Sequence, residues 1–209
     1  MKTSTEQYRI CTTEQLEGLF DPVGEASITK ELSYIHPHYQ AMIEASPFAV
    51  LATGGETGLD ISPRGDAAGF VAVQDAHTLL LPDRRGNNRI DSLRNILVDP
   101  HVALLFLIPG IGETLRVNGQ ASISIDPALL QQFSMEGKLP KCVLIIQVEK
   151  VFFQCARAIH RAKLWQPLEH NPKPNVPSAG TILAALSDSK IDGEKYDRDL
   201  PARQASTLY

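Results

Sequence analysis

The sequence predicts a mainly β protein, in which an antiparallel sheet closes into a barrel or a sandwich and helices lie outside it. From Phe48 onward, seven short apolar runs are separated by Gly, Pro and Asp turn signals. Only a helix after Asn88 and a short one at residues 127–133 are expected between them, which disfavours alternating βαβ units. The seven runs are FAVLAT, LDISPRGD, GFVAV, TLLLP, VALLFLI, TLRVNGQASISI and CVLIIQVEKVFF.

Composition divides the chain into three segments. With 209 residues, of which 43% are hydrophobic, the chain can bury one full core. We expect residues 1–45 to form a peripheral helical segment and residues 46–166 to form the β domain. Residues 167–209 are expected to form a Pro-rich linker, a short helix from Thr181 to Leu186 and a polar tail that packs on its own or a neighbouring subunit.

The N-terminal segment carries two helix signals. Thr12 or Thr13 can cap a short helix that runs through Phe20, and a second helical stretch is expected over residues 33–45.

Charge and cysteine usage exclude several classes of protein. The formal net charge is -4 and no Lys/Arg run stands apart from acidic residues, so nucleic-acid binding is not expected. Cys11, Cys142 and Cys155 form no CxxC pair, which favours a reducing compartment and hence the cytoplasm. No apolar run reaches the ~18 residues of a membrane span.

His36 and His38 lack a ligand cluster, so they are expected at the surface or in a cap, and no metal site is predicted.

Residues 79–97 predict a buried strand, a polar turn and a helix start in succession. Asn88 is expected to be the N-cap, with Asp91 three residues later and Asp99-Pro100 closing the helix. The apolar stripe of this helix would be Ile90, Leu93 and Leu97.

This turn has the chemistry of an anion site. Backbone N–H groups at a helix start attract anions, and Arg84, Arg85 and Arg89 add positive charge around that point. A phosphate or a carboxylate would be stabilised there. The alternative is an ordinary capped surface helix with solvated arginines.

Two strands carry further candidates. In the run 114–125 apolar residues occupy positions 115, 117, 121, 123 and 125, so Thr114, Arg116 and Asn118 project from the opposite face toward a ligand, a second subunit or water. Pro63 implies a sheet edge or a bulge. The neighbouring Arg64 is either a second anion ligand or the partner of Asp60 or Asp66.

After the last strand, residues 157–165 predict a basic helix. Arg157 and Arg161 lie one turn apart, and Arg161 would share a face with Trp165, the single tryptophan of the chain.

Taken together, these motifs resemble the pyridoxamine 5'-phosphate oxidase-like family of FMN-binding split barrels, in particular a bacterial branch of it. The resemblance covers about residues 40–166 and rests on SPRGD, LLLPDRRGNNRIDSLRNIL, ALLF, ETLRVNG and CARAIHRAKLW in this order. It implies a six-stranded antiparallel split barrel and a homodimer with FMN at the subunit interface. Residues 46–166 would then be the FMN-binding domain.

The resemblance also assigns roles by position. Asn87, Asn88 and Arg89 would hold the FMN phosphate. The other residues expected near the flavin are Ser62, Pro63, Arg64, Leu80, Leu81, Pro82, Thr114, Arg116, Arg161 and Trp165.

The chain departs from the oxidase pattern at two places. It has Asn-Asn-Arg where the oxidase carries Ser-Arg-Lys, and it lacks the terminal Trp-Gly-x-Arg-Leu type segment that contacts substrate. The resemblance therefore implies an FMN-dependent oxidoreductase acting on a small molecule, without assigning that substrate or a catalytic side chain. The alternative is a non-catalytic protein that binds or senses a flavin or another small ligand.

Overall fold

The computed structural model describes residues 8–56, 58–166 and 176–209. The chain divides into two compact units, Met1–Glu31 and Leu32–Tyr209. Most of the predicted Pro-rich linker falls on residues 167–175, outside the described residues. The domain boundaries at 45/46 and 166/167 stay predictions.

The first unit contains two short helices, α1 (Thr13–Glu17) and α2 (Glu25–Thr29). Thr12 caps α1 as predicted, since its side chain accepts a hydrogen bond from the backbone N–H of Gln15. The helix ends before Phe20, where we expected its end, because the next residues form tighter i to i−3 turns. Neither helix has a buried residue.

The second unit is built on one antiparallel sheet with helices around it, which confirms the predicted fold class. The sheet has seven strands in the order β2-β1-β5-β6-β7-β4-β3, so β2 and β3 form its two edges. The resemblance implied six strands, and the short β3, paired only with β4, adds the seventh at one edge. The strands are β1 (Phe48–Gly55), β2 (Gly58–Gly65), β3 (Ala72–Asp75), β4 (Thr78–Asp83), β5 (His101–Leu107), β6 (Thr114–Ser124) and β7 (Cys142–Gln154).

Each predicted apolar run therefore overlaps a strand, although GFVAV (residues 69–73) shares only Ala72 and Val73 with β3. Pro63 lies on the edge strand β2, as its missing N–H predicted. The largest fully buried side chain is that of Phe106 on β5, and inward-facing residues of the sheet form one continuous core around it. The edge strand β2 has no buried residue and is held by its pairing with β1, which does contribute to this core.

Strand β6 alternates between buried and exposed residues as predicted, up to its end. Leu115, Val117 and Ala121 are buried, whereas Arg116 is exposed. Ile125 was expected in the core but is 73% exposed, because the strand ends at Ser124.

Helix α3 (Pro37–Ala45) covers the core with Tyr39 and Ile43. The His36 side chain caps it by accepting a hydrogen bond from the N–H of His38 at 3.2 Å, which confirms the capping role. It begins at Pro37, a position that suits proline because the first N–H of a helix has no partner.

The helix after β4 begins later than predicted. Helix α4 spans Asp91–Val98, with Ile90 at its N-cap position and Asp99 at its C-cap. Asn88 is not the N-cap, because its φ of 61° places it in the left-handed region, whereas an N-cap residue is extended. Arg89 therefore precedes the helix instead of being its first residue.

The buried face of α4 also differs from the predicted stripe. Ser92 and Ile96 are buried and Leu93 is half-buried, but Ile90 and Leu97 are 43% and 77% exposed. The helix turns Ser92 and Asn95 toward polar partners on the sheet: Ser92 Oγ donates to Asp60 and Asn95 Nδ2 donates to Thr53. These hydrogen bonds explain why the buried face of α4 is rotated relative to the predicted apolar stripe.

Four further helices follow: α5 (Pro127–Gln132), as predicted, α6 (Arg157–Ala162), α7 (Ala179–Leu186) and α8 (Gly193–Ser206). Helix α6 ends before Trp165, because Lys163 adopts a left-handed φ of 52°, so Arg161 and Trp165 do not share a helical face. The expected polar tail is largely the helix α8, which Asp192 caps by accepting from the N–H of Lys195. No helix among the described residues has the length and apolar character needed to cross a membrane.

Candidate functional site

A cavity of about 680 Å³ lies between the edge strand β2, the loop after β4 and the start of α4. This volume is within the range of small-molecule sites in proteins, roughly 300–1,000 Å³. Seven of the residues predicted to bind a cofactor line it: Ser62, Pro63, Arg64, Pro82, Asn87, Asn88 and Arg89. The SPRGD and PDRRGNN motifs, separate in sequence, thus meet at one place.

The cavity lining has an excess of positive charge. It contains five cationic side chains, Arg64, Arg84, Arg85, Arg89 and Lys141, against three carboxylates, Asp60, Asp83 and Asp91. The whole chain has a net charge of -4, so this positive excess is local. An anionic group is the ligand that such a lining favours.

Arg64 is held in the cavity by three interactions. Its guanidinium donates to Ser62 Oγ at 2.7 Å and to the Pro63 carbonyl at 2.9 Å, and it forms an ion pair with Asp83 at 3.4 Å. The predicted pairing with Asp60 or Asp66 is wrong, because those carboxylates have other partners. The Arg64 Nε has no hydrogen-bond partner among the described residues, but it is buried, so a ligand reaches it only if the side chain moves.

Two carboxylates of the lining have distinct environments. Burial raises the pKa of Asp83, and the Arg64 guanidinium offsets only part of that rise. Asp60 accepts a hydrogen bond of 2.6 Å from Ser92 Oγ, which in turn lies 3.0 Å from Ser62 Oγ. The hydroxyls of Ser62 and Ser92 therefore connect Arg64 to Asp60 and tie β2 to α4.

The predicted phosphate cradle has an open helix start beside it. Ile90 offers no capping side chain, so first-turn N–H groups of α4 have no side-chain cap. The Asn87 side chain instead accepts a hydrogen bond of 2.9 Å from the N–H of Arg89. Asn88 tolerates the left-handed conformation that turns the loop toward the helix.

The arginines of this loop differ in their partners. Arg84 is largely buried and donates to Asp66 at 2.8 Å and to the Phe133 carbonyl, so it is committed to the protein. Arg89 contacts Asp91 through two nitrogens at 2.9 Å, but its side chain is 80% exposed. Arg85 and Lys141 have no side-chain partner among the described residues.

The other predicted residues do not line this cavity. Leu80 and Leu81 are buried on β4. The remaining residues lie elsewhere on the second unit: Thr114 and Arg116 on β6, Arg161 on α6, and Trp165 in the following turn, where its Nε1 donates to the Ile111 carbonyl at 2.7 Å. Strands β1 and β5 separate β6 from β2. The predicted set thus falls into three parts: the cavity residues, the buried Leu80 and Leu81, and a second group on β6, α6 and the following turn.

Sequence reasoning missed several lining residues, among them Ser92, Asp83 and Lys141. A signal existed only for Ser92, a serine four residues before Ile96 on the buried face of an amphipathic helix. Asp83 and Lys141 come together through the pairing of β4 with β7, which no local pattern reveals.

Solved structures with limited similarity to this chain cover just over half of it. HupZ from Group A Streptococcus has 23% identity and a TM-score of 0.48, covering 58% of this chain and 94% of that one. A protein related to general stress protein 26, from Clostridium acetobutylicum, has 16% identity and a TM-score of 0.43 over 56% and 86%. An FAD binding protein from Mycobacterium smegmatis has 14% identity and a TM-score of 0.40 over 58% and 95%.

The family comparison is more direct. No curated protein matched the chain. The family model described as pyridoxamine 5'-phosphate oxidase matches residues 35–155, which include every strand of the sheet and the whole cavity lining. Because this match covers more than half of the chain, the protein belongs to the pyridoxamine 5'-phosphate oxidase family.

Proposed function

We propose that this protein binds FMN in the arginine-rich cavity and is an FMN-dependent oxidoreductase that acts on a small molecule. The observation that carries the proposal is the convergence of SPRGD and PDRRGNN on one positively charged cavity. Family membership supports the choice of a flavin as the ligand. The cavity volume and the uncapped helix start both fit a phosphorylated flavin.

The phosphate end of the ligand would bind at the loop before α4. Asn87, Asn88 and Arg89 would hold it together with N–H groups of the first turn of α4. Arg85 and Lys141 supply further positive charge at the same cavity. Neither side chain forms an ion pair with a carboxylate among the described residues, so neither would have to break one to bind a phosphate. Arg89 would have to share its guanidinium with Asp91.

The ring end would lie toward Arg64 and β2. A bound flavin supplies the electron transfer, so the protein has to bind, orient and tune it. Arg64 is fixed by Asp83 and Ser62, and its positive charge would stabilise negative charge on the reduced ring. No side-chain nucleophile is required.

We also propose a symmetric homodimer with FMN at the interface. The second predicted group, which includes Arg116 and Trp165, lies outside the cavity in its own chain, and a second subunit could bring it there. The edge strand β2 supports an interface, since Leu59 is 94% exposed and Ile61, which lines the cavity, is 70% exposed. A cytoplasmic location stays part of the proposal.

Anaerobic reduction tests the enzymatic part. We expect NADH or NADPH to reduce protein-bound FMN faster than free FMN, followed by reoxidation with an added acceptor. If neither donor reduces the bound flavin faster than the free one, the oxidoreductase proposal fails and a flavin-binding or sensing role replaces it.

A further inference from the structure

Tyr209 reaches the wall of the cavity from the C-terminal helical region. Its hydroxyl donates a hydrogen bond of 2.7 Å to Asp66 Oδ1, a residue 143 positions earlier in the chain. Its ring lies 5.6 Å from the guanidinium carbon of Arg84. At this distance the positive charge is attracted to the face of the ring. One side chain thus contacts both members of the Asp66–Arg84 ion pair.

Asp66 depends on these contacts, because its side chain is only 2% exposed. Burial by itself would raise its pKa, but the Tyr209 hydroxyl, the Ala67 N–H and the Arg84 guanidinium together hold the pKa below its ordinary value. A buried carboxylate that loses one of its donors pays a desolvation penalty. Tyr209 therefore stabilises the charged form of Asp66.

Arg84 transmits this contact to the cavity. It lies directly after β4, lines the cavity, and begins the loop that continues through Asn87 and Asn88. Its Nε is bound by Asp66 and its Nη1 by the Phe133 carbonyl, so its backbone has a fixed position at the base of the loop. Loss or displacement of the Asp66 carboxylate would break one of these two hydrogen bonds of Arg84.

We propose that Tyr209 is a positioning residue for the cavity: through Asp66 and Arg84 it fixes the loop 84–90 that forms the anion-binding wall. The effect on ligand affinity rests on the proposed function, whereas the effect on the loop itself does not. Ligand binding and the docking of Tyr209 are coupled as a result, so that an anion in the cavity favours the docked side chain and the docked side chain favours the anion.

Titration of FMN and riboflavin into three variants tests the positioning role. Tyr209→Ala should weaken FMN by about tenfold, the lower end of the effect of a lost charge-assisted contact, because Tyr209 acts on the cavity only through Asp66 and Arg84. Tyr209→Phe removes the hydrogen bond to Asp66 but keeps the ring beside Arg84, so it should weaken FMN measurably but by less than Tyr209→Ala. Riboflavin, which lacks the phosphate, should bind all variants equally. Tyr196→Phe is the matched control, because Tyr196 lies on α8 and stacks with Arg203, away from the cavity.

Equal losses for the two flavins would show that Tyr209 has only a general structural role, and unchanged FMN affinity in Tyr209→Ala would also overturn the inference. Amide hydrogen exchange in the ligand-free protein separates this failure from that of the proposed function. Residues 84–90 should exchange faster in Tyr209→Ala than in the wild type and in Tyr196→Phe. If they exchange at the same rate, the inference is wrong whether or not the wild type binds FMN.

Discussion

The arginine side chains of the cavity differ by whether a carboxylate already holds them. Arg64 and Arg84 are paired with Asp83 and Asp66 and are mostly buried, so they shape the cavity as well as charge it. Arg89 is paired with Asp91 in water, where such a pair contributes little, on the order of 0–1 kcal/mol. An incoming phosphate can therefore recruit Arg89 at small cost, which keeps Arg89 the best candidate for a phosphate ligand.

Replacing Arg89 with alanine should weaken FMN by about ten- to a hundredfold, the value of a lost charge-assisted contact of roughly 1.5–3 kcal/mol. Riboflavin should lose almost nothing, because it has no phosphate. Parallel titrations of both flavins, followed by flavin fluorescence, measure this difference. Arg94→Ala is the control, since Arg94 shares Asp91 with Arg89 but does not line the cavity. A comparable loss for both flavins in Arg89→Ala would reject the phosphate role.

The sequence could show which arginines cluster but not which are free. The partners of Arg84 are Asp66 and Phe133, which lie 18 and 49 residues away in the chain. Their proximity results from the pairing of β4 with β7 and from the loop after β2. The spacing of residues in the sequence therefore could not predict these contacts. Arg89, by contrast, pairs with Asp91 two residues away, an interaction that the sequence permits but does not require.

Strands were predictable at the scale of the element because their signal is local. Each apolar run between turn residues overlaps a strand, GFVAV by two residues only, and the alternation of β6 matched its buried face. Helix boundaries were harder: the start of α4 depends on the left-handed φ of Asn88, which asparagine tolerates but the sequence does not demand. Helix α8 was missed because it has no apolar stripe and contains Pro201.

The backbones of β6 and β7 approach each other closely at Gly119, and this contact can be tested by mutation. The register shifts between Asn118 and Gly119, and a Cβ at Gly119 would lie 2.1 Å from the Gln147 carbonyl oxygen. Gly119→Ala should therefore lower the free energy of unfolding by about 1–3 kcal/mol, as overpacking of a core usually does. Urea unfolding measures this change.

Gly86→Ala is the control for that measurement, because a Cβ at Gly86 meets nothing within 4 Å. Its unfolding midpoint should equal or slightly exceed that of the wild type. A Gly119→Ala protein as stable as the wild type would show that β6 and β7 can separate locally without cost, contrary to the close approach of Gly119 to Gln147.

At the scale of the whole molecule, the family and the sheet follow from the sequence, whereas the assembly does not. The cavity collects one group of the predicted cofactor residues in a single chain, and the group with Arg116 and Trp165 lies on other elements. The proposed homodimer would bring the two groups together, and it would also cover the apolar residues of the exposed edge strand β2. Which surfaces meet depends on a second copy, and no periodicity within one chain specifies that contact.

The most direct test of this account measures flavin content and mass in one experiment. The purified protein is saturated with FMN, desalted, and passed through a sizing column with light-scattering and flavin-absorbance detection. We expect a species of twice the chain mass that carries about one FMN per chain, because the interface of an obligate dimer should be large and stable. A colourless protein that takes up no added FMN would contradict the central claim, and a monomer that retains FMN would contradict the dimeric site.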